Sequence, residues 1–146
     1  MRLVRVLVVD DSVTIRAVMR QVLESDPEIR IAGLAASADE ADEMLEDHLV
    51  DVITLDVEMP GRSGLEYLQD LRKRRQTPVI MLSSYTARGE EMRAKALMEG
   101  AAGCFNKANA MREKDRLLQL VKDAAHREAR LDRDDTAALE ALRAAE

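Results

Sequence analysis

Five short apolar runs, separated by helical patterns, constrain this chain more than any other feature. The runs are Leu3–Val9, Ile29–Ala35, Val52–Leu55, Val79–Leu82 and Gly103–Phe105. Each is too short for a core helix, and each is apolar at nearly every position rather than at alternate ones. A parallel strand covered on both faces reads this way. Between the runs the period changes. Ile15, Val18, Met19, Val22 and Leu23 fall at i, i+3, i+4, i+7 and i+8, one stripe of a helix. Ser12 predicts its N-cap, and Asp26-Pro27 its end. Ala41, Leu45 and His48/Leu49 form a weaker second stripe. Leu65, Leu68 and Leu71 form a third. Met92, Ala96 and Leu97 form a fourth, stopped by Gly100, and Leu117, Leu120, Val121 and Ala124 a fifth. Strand and helix alternate five times. The economical packing is a doubly wound α/β fold: a five-stranded parallel sheet with right-handed crossovers and helices on both faces.

Composition narrows the function. Apolar residues make up 47% of the 146, enough for a real core. Aromatics are only 2%, without Trp, which disfavours a base-stacking platform for single-stranded nucleic acid. A net charge of −6 is poorly suited to gripping phosphate backbones, so no nucleic-acid partner is expected. The one cysteine, Cys104, has no internal disulfide partner and sets no metal-site spacing. The first apolar run stops at Asp10-Asp11, well short of the ~18 residues of a membrane span. It is followed by no small-residue cleavage site. A cytoplasmic protein with no membrane partner is the expectation. After residue 127 the strand signal ends. Residues 128–146 hold Ala, Leu and charge, with Asp134-Asp135-Thr136 as a helix start. We expect one domain over 1–127 and a helical extension or linker over 128–146.

Two runs end in acids. The first runs into Asp10-Asp11, and the third into Asp56, followed by Val57-Glu58. In open α/β sheets ligands bind beyond the carboxyl ends of the strands, where the strand order reverses. In the flavodoxin-like order 2-1-3-4-5, strands one and three are neighbours there, so Asp10, Asp11 and Asp56 converge. Three clustered carboxylates repel one another, and at least one pKa should rise. A hard cation resolves this, and Mg²⁺ favours a few carboxylates with water and phosphate oxygens. As helix caps or turn formers alone, the three acids would not need to meet at adjacent strand ends. The fourth strand ends in Ser83-Ser84 and the fifth reaches Lys107. At the same edge a hydroxyl can donate to a phosphoryl oxygen, and an ammonium can neutralise charge that builds during transfer.

With those residues in place, the sequence resembles the receiver domain of bacterial two-component response regulators, over roughly residues 3–125. The motifs that carry the likeness are Val8-Val9-Asp10-Asp11-Ser12, Leu55-Asp56-Val57-Glu58-Met59-Pro60 with Gly64, Ser83-Ser84, and Lys107. Asp56-Val57-Glu58-Met59-Pro60 and Ser83-Ser84-Tyr85-Thr86 look closest to the receiver half of chemotaxis protein-glutamate methylesterases. The resemblance implies that Asp56 is a phosphoacceptor, attacking the phosphohistidine of a sensor histidine kinase or phosphotransfer protein. It implies that Asp11 binds Mg²⁺ directly and Asp10 mainly through water, with Asp56 and the main-chain carbonyl of Glu58 as further ligands. It implies that Ser83 and Lys107 contact the phosphoryl group. Phosphorylation would shift a population, altering the surface of helix four, strand five and helix five for a downstream protein target. A dimer through that surface is left open. Such a domain is a signalling module, not an enzyme beyond its own phosphotransfer and autodephosphorylation.

Two positions depart from that family. The residue after the lysine is usually a proline in a cis peptide, and here it is Ala108. A cis bond before a non-proline costs ~3–4 kcal/mol, which predicts a trans bond and a remodelled loop with room to re-aim Lys107. Three residues before the lysine, where an aromatic is usual, stands Cys104. Phe105 should face the other side of the strand. These departures touch output coupling. They leave three readings: a stand-alone receiver that signals by protein contact, an isolated receiver fragment of a larger regulator such as a chemotaxis methylesterase, and a phosphorylation-silent receiver-like domain. A haloacid-dehalogenase-type phosphatase would carry its paired acids and nucleophile together after the first strand. A flavodoxin would need a hydroxyl- and Gly-rich phosphate loop there. Arg72-Lys73-Arg74-Arg75 reads as a solvated helix C-terminus that complements the dipole. His48 and His126 read as structural or exposed, most methionines as core filler, and Tyr85 as a loop residue near the site.

Overall fold

Val4, Val6 and Val8 face one side of the sheet while Leu7 and Val9 face the other, and each set disappears into its own apolar cluster. The structure is a computed structural model describing residues 3–84 and 87–127. In chain order the elements are β1 (Val4–Val9), α1 (Val13–Glu24), β2 (Ile29–Ala35), α2 (Ala38–Asp47), β3 (Val52–Asp56), α3 (Gly64–Arg74), β4 (Val79–Ser83), α4 (Ala87–Met98) and β5 (Gly103–Asn106). A 3-10 turn over Lys107–Asn109 leads to α5, residues 114–127. The five strands are all parallel, in the order β2-β1-β3-β4-β5. The expected extension over 128–146 and the loop residue Tyr85 lie outside the described residues.

The sheet separates two cores. Met19, Val22 and Leu23 of α1 and Leu117, Val121 and Ala124 of α5 cover one face. Ala41 and Leu45 of α2, Leu68 and Leu71 of α3 and Ala96 of α4 cover the other. Each fully buried Leu or Val contributes roughly 1.5–3 kcal/mol relative to exposure, so both faces must be covered. Ser12, Ser37 and Ser63 cap α1, α2 and α3. Each hydroxyl accepts from the N–H three residues on, at 3.2 Å, which satisfies a donor the helix leaves unpaired.

The structure departs from the plain apolar pattern in several places. Strands β3 and β4 each run one residue beyond their apolar stretch. Asp56 stays in register with Leu82, and Ser83 with Asn106, because backbone pairing does not depend on side-chain polarity. The second stripe ends early. Helix α2 stops at Asp47, with His48 at its C-cap, and Leu49 is exposed. Leu97 is likewise exposed, so α4 buries a narrow face through Ala96 and Met92. The basic run is not simply solvated. The Arg72 guanidinium donates to the Thr77 carbonyl, Arg74 reaches Asp42 at 2.5 Å and Asp70 at 3.1 Å, and Arg75 donates to the Leu45 carbonyl at 3.1 Å. Most methionines are buried or half-buried as expected, but Met98 and Met111 are exposed.

Tyr67 of α3 is fully buried, and its hydroxyl donates to Asp42 Oδ1 at 2.7 Å. Burial alone would raise the Asp42 pKa, but the Tyr67 hydroxyl and the Arg74 and Arg62 guanidinium groups outweigh it and hold Asp42 below the usual carboxylate range. A hydrogen bond to a charged acceptor contributes about 1.5–3 kcal/mol. Tyr67→Phe should therefore lower stability by about 2 kcal/mol in chemical denaturation at neutral pH. The deficit should shrink as pH falls and Asp42 takes up a proton in both proteins.

Candidate functional site

Because β2 lies outside β1, the strands β1 and β3 are neighbours and end side by side. Asp10 follows β1 directly and Asp56 is the last residue of β3. Both are buried, and Asp11 is exposed beside them. One carboxylate oxygen from each of Asp10, Asp11 and Asp56 lies within 4.8 Å of the others. The three acids singled out from the sequence are one cluster.

Local hydrogen bonds fix Asp10 and Asp56. The Asp10 N–H donates to the Ala35 carbonyl of β2 at 3.0 Å, and Asp10 Oδ1 accepts the Ser12 N–H at 2.8 Å. Arg16, one turn into α1, donates to the Asp10 main-chain carbonyl at 2.5 Å. Asp56 Oδ1 accepts the Glu58 N–H at 3.2 Å and faces the Lys107 ammonium at 3.4 Å. Asp10 Oδ2 and Asp56 Oδ2 are buried without a hydrogen-bond partner.

Such orphaned oxygens are costly, and the same burial disfavours the charged carboxylates. Burial raises the Asp10 pKa, with the Ser12 N–H and the Lys107 charge opposing. Burial and the neighbouring Asp10 charge push Asp56 up to about 7, although Lys107 and the Glu58 N–H pull the other way. Hard oxygen donors, two of them unpartnered and buried at one strand edge, fit a divalent cation such as Mg²⁺.

Ser83 is buried at the end of β4. It shares a small cleft with Asp56, Val57, Glu58, Ser84 and Lys107. Glu58 is exposed in the loop after β3. The structure thus brings every residue of the expected site to one edge. No cis peptide occurs among the described residues, so the Lys107–Ala108 bond is trans, as predicted. The loop is rebuilt as the 3-10 turn, closed by Asn106, whose side chain accepts the Ala108 N–H at 2.9 Å. The rebuilt turn still aims Lys107 at Asp56. Cys104 and Phe105 take opposite faces as alternation requires. Phe105 joins the α1/α5 core, while Cys104 packs half-buried against the other, where burial holds its thiol above the usual range.

Sequence reasoning missed two residues and underused a third. Arg16 carries the right spacing, one turn past Asp11, but nothing in the sequence says that it bonds a main-chain carbonyl. Arg62 binds Asp39 and Asp42, 23 and 20 residues away. Gly64 was part of a motif, and its reason is steric. A Cβ there would lie 1.9 Å from the Asp56 carbonyl oxygen.

The sequence matches the family model described as "Response regulator receiver domain" over residues 6–122. It is 43% identical over 141 residues to a protein-glutamate methylesterase/protein-glutamine glutaminase of Agrobacterium fabrum, covering 93% of this chain and 40% of the relative. It is 43% identical over 130 residues to the protein of the same name from Pyrococcus abyssi, covering 85% of this chain and 35% of the relative. The chain therefore spans two fifths or less of the length of these curated relatives. Among solved structures, the response regulator domain of Thermotoga maritima CheB superposes with a TM-score of 0.75 at 35% identity, covering 86% of this chain and 98% of that one. No described helix is long and apolar enough to cross a membrane. On sequence, fold and the arrangement of its acidic edge, this chain belongs to the response regulator receiver domain family.

Proposed function

We propose that Asp56 accepts a phosphoryl group from the phosphohistidine of a sensor histidine kinase or phosphotransfer protein. The observation that carries this is the buried, partly unpartnered Asp56 carboxylate facing Lys107, with two further acids beside it. An Asp56 oxygen attacks phosphorus, the P–N bond breaks, and its electron pair returns to the imidazole. Asp10, Asp11, Asp56 and the Glu58 carbonyl would hold Mg²⁺, which supplies positive charge against the phosphoryl oxygens. Lys107 compensates charge on the acyl phosphate, and the Ser83 hydroxyl donates to a phosphoryl oxygen. The new dianion favours whichever arrangement of the β4–β5 edge satisfies its oxygens, and a downstream protein reads that arrangement. This reading places the chain in the cytoplasm, where phosphohistidine donors are charged from ATP.

The methylesterase relatives favour a second, compatible reading, in which the output is control of a methylesterase domain. Reading the gene beyond the codon for Glu146 decides between a linked and a separate target.

The test is intact mass after incubation with Mg²⁺ and a small-molecule phosphodonor. One phosphoryl group should be gained, and a chelator should abolish the gain. No gain from the donor or from candidate kinases would overturn the reading in favour of a phosphorylation-silent domain.

A further inference from the structure

The loop between β3 and α3 joins the Asp56 edge to a charged cluster on α2 and α3. Arg62, in that loop, reaches Asp39 at 3.0 Å and Asp42 at 3.3 Å on α2, and Asp70 at 3.3 Å on α3. Its guanidinium also lies 5.0 Å from the centre of the buried Tyr67 ring. The planar fork of an arginine presents five donors in fixed directions, which the ammonium of a lysine does not. The first half of the same loop carries Glu58. Its other side looks onto a cleft of about 260 Å³, lined by Val57, Glu58, Met59, Pro60, Ser63 and Met92. The loop is therefore clamped on the α2 side and has space to yield on the α4 side.

We infer that Arg62 is a positioning residue for the cation site: its clamp on Asp39, Asp42 and Asp70 holds the loop that carries Glu58, whose N–H reaches Asp56 Oδ1 at 3.2 Å, beside the acids of Asp10, Asp11 and Asp56. The inference rests on the proposed function, and adds a residue to which that reading gives no role. Arg74 allows a control. It shares Asp42 and Asp70 with Arg62, at 2.5 and 3.1 Å, but sits at the far end of α3, and these ion pairs join α3 to α2 rather than to the loop. Removing either arginine unbalances the same aspartates. Only removing Arg62 frees the loop.

The experiment is calorimetric titration with Mg²⁺ alone on the parent, Arg62→Gln, Arg62→Lys and Arg74→Gln, with Tm recorded for each. Arg62→Gln should weaken Mg²⁺ binding roughly tenfold, the usual size of a lost contact behind a metal ligand. Arg62→Lys should fall between it and the parent, and Arg74→Gln should bind as the parent does even though its Tm falls. If Arg62→Gln fails to fold, Arg62→Lys carries the test. Unchanged affinity in Arg62→Gln, or in Arg62→Lys where that variant carries the test, overturns the inference. So does an equal loss in Arg74→Gln, which would make the cluster merely structural. A parent that binds no Mg²⁺ and gains no phosphoryl group overturns the proposed function along with it. A parent that does both, with an Arg62→Gln that matches it, overturns this inference alone.

Discussion

Asp56→Asn is expected to abolish phosphoryl acceptance and, without a divalent cation at pH 8, to make the fold more stable than the parent. The first effect follows because an amide is not a nucleophile toward phosphorus under these conditions, and intact mass reads it directly. The second follows from linkage. Asp56 is pushed up to about 7 in the folded chain by burial and by Asp10, against an ordinary value near 4. The folded state therefore binds the proton more tightly than the unfolded state. Stability is full below pH 4, declines as pH rises from about 4 to about 7, and stays low above that. An uncharged Asn escapes the decline. We expect a gain of about 2 kcal/mol at pH 8, roughly 5–10 °C in Tm, and a flatter stability profile between pH 5 and 8. Saturating Mg²⁺ should narrow or reverse the gap, since it binds the folded parent in preference to the variant. A parent whose Tm does not fall between pH 5 and 8 in chelator would contradict the account.

Gly64→Ala is the second large effect. The added Cβ would sit 1.9 Å from the Asp56 carbonyl oxygen, 2.8 Å from its carbon and 2.9 Å from Val57 Cα. All three are backbone atoms, so no side chain can turn aside. Gly64 also donates its N–H to the Val57 carbonyl at 2.9 Å, which fixes the start of α3 against the end of β3. Either α3 retreats or β3 bends, and each moves Asp56. We expect a loss of at least about 3 kcal/mol, with Mg²⁺ binding and phosphoryl acceptance lost in whatever remains folded. Gly61→Ala is the comparison. Gly61 sits at φ +77° with open space around it, so its replacement costs only the strain of the left-handed conformation, about 1–2 kcal/mol. Equal denaturation midpoints for the two variants would show that the crowding at Gly64 is not the controlling feature.

The strands and the acidic edge were readable from sequence for the same reason. A strand buried on both faces is apolar throughout, so its end is marked by the first polar residue, and in β1 and β3 that marker is an acid of the proposed site. Asp10 and Asp56 therefore announced both the boundary and the site. What stayed hidden depends on contacts between distant segments. Arg74 and Asp42 are 32 residues apart, and Arg75 and the Leu45 carbonyl 30, so the basic run looked like a solvated helix end. Leu49 fits the helical period of α2, but the helix stops before it. The turn at Lys107–Asn109 depends on a side chain, Asn106, that closes it. Proline's absence predicted the trans bond, but not that Lys107 would still reach Asp56.

The two-sided burial of β1 has a consequence for how the chain finds its alignment. A strand with one wet face resists slipping, because a one-residue slide turns its apolar side chains outward. Apart from half-buried Arg5, Val4 to Val9 have no wet face, and a slide of the segment beyond it would exchange one buried set for another at little loss. What it would displace is Asp10. Moved inward, that carboxylate would enter the dry interior without Ser12 or a counter-charge, at a cost of several kcal/mol. Moved outward, Val9 would take the buried place of Asp10 and remove a carboxylate from beside Asp56. The acids at this edge thus act as a stop for the strand, so selection for the proposed phosphoryl chemistry and selection against misaligned sheets fall on the same residues.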